Sequence, residues 1–290
     1  MNKECKNMEY VAFGKTNVMV SRIGFGGAPA GLRNYLQEYN PDLPENNNHI
    51  IAAIDAALEA GINYFDTAPG YGSGKSEELM GYALKGSRNA VFLASKAKIC
   101  PPDDLRRSLE QSLQRLQTDR LDFFQLHGTS YKDQDVQQVL HEGILEQMMQ
   151  FKAEGLVRFI GFTSEDSNRA VYDFIQCGQF DIMQICYNIL MQHPYDPNRP
   201  FGSILEAEKA GLGIAVMRAF TSGVFQRWMA MVHPENHFDY TEALIQFVLS
   251  NPHVDVALIG MRNAEEVRKN VAICDNLSGR VDIRQMFTYY

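Results

Sequence analysis

LDFFQLHGTSYKDQDVQQVLHEGILEQMMQFKAEGLVRFIGFTS, residues 121–164, reads as one strand–helix–strand unit. LDFFQLHG (121–128) and VRFIGFTS (157–164) are short, nearly continuous apolar runs, the pattern of strands covered on both faces in a parallel sheet. Between them Ile144, Leu145, Met148 and Phe151 recur at helical spacing, and Gly155 closes that stripe.

The unit repeats in both directions. Further runs are SRIGFGG (21–27), INYFDTA (62–68), AVFLASKA (90–97), FDIMQICYN (180–188), GIAVMRAF (213–220) and VDVALIG (254–260), which makes eight in all. Ile50, Ile51, Ile54, Ala57 and Leu58 mark a helix stopped by Gly61. Asp103 and Asp104 open another, with Leu105, Leu109, Leu113 and Leu116 on one face. Ser167 can cap a helix bearing Ala170, Val171, Phe174 and Ile175. Shorter helices fit 74–85, 202–210, 240–250 and 263–273. Eight such units predict a (β/α)8 TIM barrel in a single domain over 1–290. A doubly wound open sheet ranks lower, because eight strands suffice for closure. Residues 8–20 (MEYVAFGKTNVMV) read as an N-terminal β-hairpin turning at Gly14-Lys15-Thr16-Asn17 and plugging the barrel bottom. Residues 31–48 and 221–239 are long polar connections placed at the C-terminal mouth, where binding loops belong.

The chain has 290 residues, 45% of them hydrophobic and 21% charged, so it builds a core without staples. A net charge of −8 argues against nucleic acid or an anionic membrane as the main partner. The five cysteines (Cys5, Cys100, Cys177, Cys186, Cys274) are odd in number, scattered and without CxxC, which argues against a disulfide framework or structural zinc. The N-terminal residues hold no apolar stretch fit for a signal peptide, and no run of about 18 apolar residues occurs. A cytoplasmic location is the expectation. Oligomeric state leaves no mark in the sequence.

In such barrels the chemistry sits at the C-terminal strand ends. Here those ends carry Asp66, Lys96, His127, Thr163-Ser164, Gln184 with Asn188, and Arg218. Singly, each has a bland reading: a turn cap, a solvated lysine, a structural histidine. Tyr71, five residues after Asp66, changes the balance. An ammonium beside a phenol favours phenolate, a carboxylate holds that ammonium, and a neighbouring histidine can bind a substrate oxygen. The set suits protonation of a carbonyl oxygen while hydride reaches its carbon.

FDTAPGYGSGKSEELMG (65–81), LASKAK (93–98) and FFQLHG (123–128) resemble the aldo-keto reductase superfamily, and the likeness runs from MEYVAFGKTNVMVSRIGFGG (8–27) to IGMRNAEEVRKNV (259–271). The resemblance implies a catalytic tetrad of Asp66, Tyr71, Lys96 and His127. It implies a nicotinamide cofactor, NADPH with NADH possible, and a small carbonyl or alcohol substrate: an aldehyde, ketone or sugar. Thr163, Ser164 and Gln184 fall where the family binds the carboxamide. Met217 stands where many members stack an aromatic ring, with Arg218 beside it to reach the pyrophosphate. Gly260, Arg262 and Asn270 match the adenosine end. Glu266 departs from the basic residue or Gln of many NADP-dependent relatives, and would suit a free ribose hydroxyl. Gly128 replaces the family's bulkier residue after the histidine, which alters the pocket rim. Substrate contacts are expected from Leu32, Tyr35, Asn188 and Trp228, the last equally readable as loop packing.

Other motifs fail. Pro29 takes the third glycine position of a GxGxxG, and Gly70–Ser76 has one residue too few for a phosphate loop. His193, His233 and His237 lack ligand spacing, so no metal is predicted. Two rivals keep the fold: a nicotinamide-sensing regulatory subunit of weak activity, and an enzyme using Lys96 as a Schiff-base lysine.

Overall fold

The computed structural model describes residues 8–192 and 202–282. Cys5 and His193 lie outside the described residues. The chain opens with an antiparallel hairpin, β1 (Tyr10–Ala12) and β2 (Met19–Ser21). Then come β3 (Ile23–Gly26), α1 (Ala28–Gly31), α2 (Pro44–Ala60), β4 (Tyr64–Asp66), α3 (Lys75–Leu84), β5 (Phe92–Ala97), α4 (Pro102–Arg115), β6 (Leu121–His127), α5 (Asp133–His141) and α6 (Ile144–Ala153). They are followed by β7 (Val157–Ser164), α7 (Arg169–Gln176), β8 (Ile182–Cys186), α8 (Gly202–Ala210), β9 (Gly213–Met217), α9 (Val224–Val232), α10 (Thr241–Leu249), β10 (Val256–Gly260) and α11 (Ala264–Asp275).

Strands β3 to β10 form a closed barrel in sequence order, with β10 pairing back onto β3, and every pairing is parallel. All eight sequence runs became its strands, and the open sheet is excluded. Its bottom is filled by the hairpin turn. Phe13 is fully buried and meets Tyr64 and Phe123 edge-on, at 5.5 and 5.2 Å between ring centroids. Gly14 holds φ +51°, and a Cβ there would run into the Gly213 backbone, so glycine lets the plug seat. Alternate residues of each strand fill the barrel interior, and the others pack beneath the helices.

Three local expectations are corrected. The polar connection read over 31–48 ends at Pro44, where α2 starts. Proline suits the first helical position, and the Glu45–His49 turn faces solvent, so its polarity disguised a helix. The connection 221–239 contains α9, which has no buried residue. The cap of α7 is Asn168, whose side chain accepts from Val171 N, and not Ser167. Helix α5, inside the unit first quoted, has only Val139 buried, so its apolar stripe was too thin to read. No helix among the described residues is long and apolar enough to cross a membrane. None of them forms a cluster of His, Cys, Asp and Glu fit for a metal ion.

Candidate active site

Tyr71 is set by two glycines and a serine. A Cβ on Gly31 would collide with the Tyr71 carbonyl, and one on Gly72 (φ +70°) with the Gly31 carbonyl, so the end of α1 presses directly onto the loop that carries the tyrosine. Tyr71 N donates to Ala68 O at 3.0 Å, and Ser76 N donates to Tyr71 O at 3.2 Å. The buried Ser76 hydroxyl donates to Gly27 O at 2.8 Å and accepts from Thr67 Oγ1 at 2.8 Å.

Beneath the tyrosine lies a buried ion pair. Lys96 Nζ, at 0% exposure, donates to Asp66 Oδ1 at 2.6 Å and to Thr67 O at 2.8 Å. It stands 5.2 Å from the centre of the Tyr71 ring, close enough for its charge to act on the phenol. Burial alone would lower the lysine pKa, but Asp66 and Tyr71 outweigh it and hold the ammonium charged. A Schiff-base role needs the free amine, which this pairing suppresses. Burial raises the Asp66 carboxyl against the pull of Lys96. For Tyr71 the expected lowering by Lys96 is present but outweighed: burial pushes the phenol up. The His127 ring meets the Tyr71 ring at 89°, and burial followed by the charges of Lys96 and Lys98 brings its pKa down to about 3. It is a neutral imidazole.

These groups open on a cleft at the C-terminal mouth. Leu32, Tyr35, Asp66, Tyr71, His127, Thr163, Gln184, Met217, Arg218 and Gly260 all line it. Seven other sequence candidates do not: Lys96, which lies beneath Tyr71 with no exposed surface, and six more. Ser164 donates to Thr129 O and Asp166 O, tying down its own loop. Asn188 is buried, donates to Arg218 O and accepts from Leu190 N and Met191 N, so it shapes a turn. Trp228, on α9, is 55% exposed and does not line the cleft. Arg262 donates to Pro29 O at 3.3 Å and Tyr35 O at 2.6 Å and lies over the Tyr39 ring at 4.4 Å, clamping the 32–43 loop. Glu266 accepts from Arg262 N at 2.8 Å and Asn263 Nδ2 at 2.9 Å, placing its carboxylate at the start of α11. Asn270 is buried one turn further on. Arg218 is not free either: Glu165 pairs with it.

Sequence reading missed Gln125. It is fully buried, and its Nε2 lies 3.4 Å from Asp66 Oδ2 and 3.1 Å from Gln184 Oε1. The signal was the strand period. Phe123, Gln125 and His127 share one face of β6, so a polar residue there points into the barrel. With its Oε1 accepting from Gln125, Gln184 turns its Nε2 toward Met217 Sδ, 3.6 Å away. That thioether is a weak acceptor, and the same amide side chain also favours the Asp66 carboxylate, so Gln184 sits between the ion pair and the cleft. Apolar walls, this amide and a guanidinium fit a nicotinamide ring with its carboxamide.

The sequence model of the Aldo/keto reductase family matches residues 22–239. Among curated relatives, the L-galactose dehydrogenase of Arabidopsis thaliana is 27% identical over 93% of this chain and 89% of its own length. The NADH-specific methylglyoxal reductase of Escherichia coli (strain K12) is 31% identical over 63% of this chain and 60% of its own. A solved aldo-keto reductase from Klebsiella pneumoniae, in complex with NADPH, shares the fold with a TM-score of 0.72 at 22% identity, covering 96% of this chain and 93% of that one.

Proposed function

Because the chain belongs to the aldo/keto reductase family, we propose that it interconverts an aldehyde, ketone or sugar carbonyl with the corresponding alcohol, with Tyr71 as the general acid of reduction and general base of oxidation. It is an NAD(P)-dependent oxidoreductase: one relative is named for NADH and one structural neighbour holds NADPH. The observation that carries the residue roles is the buried Asp66–Lys96 pair under a tyrosine that shares the cleft with a neutral histidine.

When bound, the nicotinamide supplies the hydride to the carbonyl carbon, or takes it back from the alcohol. The protein handles the oxygen. The Tyr71 hydroxyl gives its proton to the carbonyl oxygen, becoming phenolate beside the Lys96 ammonium, which stabilises that charge. Asp66 keeps Lys96 in place and charged. Neutral His127 donates a hydrogen bond that orients the same oxygen without competing as an acid. Thr163, Gln184 and Met217 would hold the nicotinamide end, with Gly26 and Gly260 at the cleft wall and Arg218 toward the phosphates.

At the adenosine end the reading favours NADH. The Glu266 carboxylate already accepts the amide of Arg262 at the head of α11, where a 2′-phosphate would otherwise gain a donor. It would repel that phosphate and accept from a free ribose hydroxyl. Oxidation of NADH and NADPH with a panel of aldehydes, ketones and sugars tests the proposal. Turnover is expected in the wild type, with kcat down by about 10²- to 10⁴-fold in Tyr71→Phe and cofactor affinity retained. Full turnover in Tyr71→Phe would remove Tyr71 from its role.

A further inference from the structure

Tyr71 and His127 border two openings. With Leu32 they line both the main cleft and a neighbouring one of about 560 Å³, whose other wall includes Lys98, Cys100 and Ser108. The two clefts therefore meet at the phenol and the imidazole. The main cleft contains Gln184, Met217 and Arg218, the groups suited to the cofactor. A substrate carbonyl must reach Tyr71 from a side the cofactor leaves open, and the second cleft is such a side.

Its charge is unlike that of the molecule around it. The whole chain has net charge −8, yet no aspartate or glutamate lines this cleft. Of its two lysines, Lys96 is committed to Asp66 and Thr67 and has no exposed surface. His127 contributes no charge. Lys98, two residues further along, is exposed, and among the described residues it forms no salt bridge. Its charge is nonetheless felt at His127. Nearby Asp104, on the helix that follows, is engaged by Arg107. A cation lining a cleft free of carboxylates concentrates anions there.

We propose that the second cleft is a substrate subsite for a carboxylate, held by Lys98 while the carbonyl of the same molecule lies at Tyr71. The preferred substrates are then aldehyde acids or keto acids. One ammonium with one hydroxyl, Ser108, suits a monoanion; a phosphate dianion would call for more donors than the lining provides. The assignment rests on Tyr71 being the proton donor.

Matched aldehydes test it: succinic semialdehyde against butyraldehyde, with the wild type, Lys98→Met and Lys98→Glu. The ratio of kcat/KM, acid over neutral, is expected to be tenfold or more in the wild type, to fall toward unity in Lys98→Met and to invert in Lys98→Glu. A wild-type ratio near unity, or one that Lys98→Met leaves unaltered, overturns the subsite while the reductase reading stands. A binding measurement separates the two readings further. Butyrate and butyramide are titrated by ligand-observed nuclear magnetic resonance, without turnover. Butyrate is expected to bind the wild type at least tenfold more tightly than Lys98→Met, and butyramide to show no such difference. Equal butyrate affinity overturns the subsite. If no member of the panel of aldehydes, ketones and sugars is turned over but butyrate binding depends on Lys98, the reductase reading fails and the anion site survives.

Discussion

The imidazole of His127 meets the phenol of Tyr71 edge to face, with ring centroids 5.6 Å apart. In the proposed reaction one of these rings gives up a proton and the other does not. Burial and two lysines keep the histidine neutral, with a pKa of about 3, and burial keeps the phenol protonated. Reduction is therefore expected to show no acid limb from His127 above about pH 4. On the alkaline side the rate stays level through about pH 9 and falls as Tyr71 loses its proton, while oxidation changes in the opposite sense. A pH profile of kcat/KM in both directions measures this. An acid limb near pH 6.5 that disappears in His127→Gln would mean a titrating histidine.

Gln125 joins the proton-handling and cofactor-facing halves of the site, since its amide reaches both Asp66 and Gln184. Gln125→Met keeps the bulk but leaves Gln184 Oε1 without a donor. Cofactor Kd is expected to rise about five- to tenfold, equivalent to ~1–1.4 kcal/mol of binding lost as the Gln184 amide is no longer held in orientation. Titration of the reduced cofactor's fluorescence reads the change. An unaltered Kd would show that Gln184 needs no positioning partner.

Glu266 places its carboxylate at the head of α11, and the proposed function gives it the choice of cofactor. Glu266→Gln keeps the hydrogen bonds within reach and removes the charge. NADPH affinity is expected to improve about tenfold relative to NADH. If the NADPH-to-NADH ratio stays fixed, selection lies elsewhere in the adenosine end.

Asp255 carries a stability cost at neutral pH. Its carboxylate accepts from Ile214 N at 2.8 Å at the barrel bottom, and burial raises its pKa to about 6 from an ordinary 3.8. The fold binds that proton more tightly than the unfolded chain does. The contribution of this one group to stability is therefore most favourable below pH 3.8, declines as the pH rises toward 6, and is level above. Asp255→Asn keeps an acceptor for Ile214 N and removes the charge. It is expected to stabilise the protein by about 2 kcal/mol at pH 7 and by little at pH 4, as read from denaturant unfolding at the two pH values. Equal gains at both would assign the effect to packing.

The barrel was legible because each strand is buried on both faces and so announces itself as a short apolar run. The clustering of Asp66, Tyr71, Lys96 and His127 was legible because Asp66, Lys96 and His127 end successive strands and Tyr71 follows at a short fixed distance. What could not be read was pairing across the chain. Arg262 and Arg218 looked like free cations facing a phosphate, but one clamps the backbone at Pro29 and Tyr35 and the other pairs with Glu165. Such partners lie up to 233 positions apart, and no local pattern records them. Gln125 was legible in principle, from its parity with His127, but a single polar residue inside an apolar run gives a weak signal. Trp228 was singled out for its place in a long loop at the barrel mouth, but it lies on α9, 55% exposed.

The Phe13 plug closes the far end of the barrel with side chains that take no part in the chemistry. Durability and reactivity thus occupy opposite poles of the molecule. Variants that toughen the lower pole, around Phe13, Tyr64, Phe123 and Asp255, are free to accumulate without disturbing the upper one. Changes of substrate can be made at the rim while the base stays rigid. An engineer, or natural selection, can therefore tune heat tolerance and specificity as two nearly separate dials.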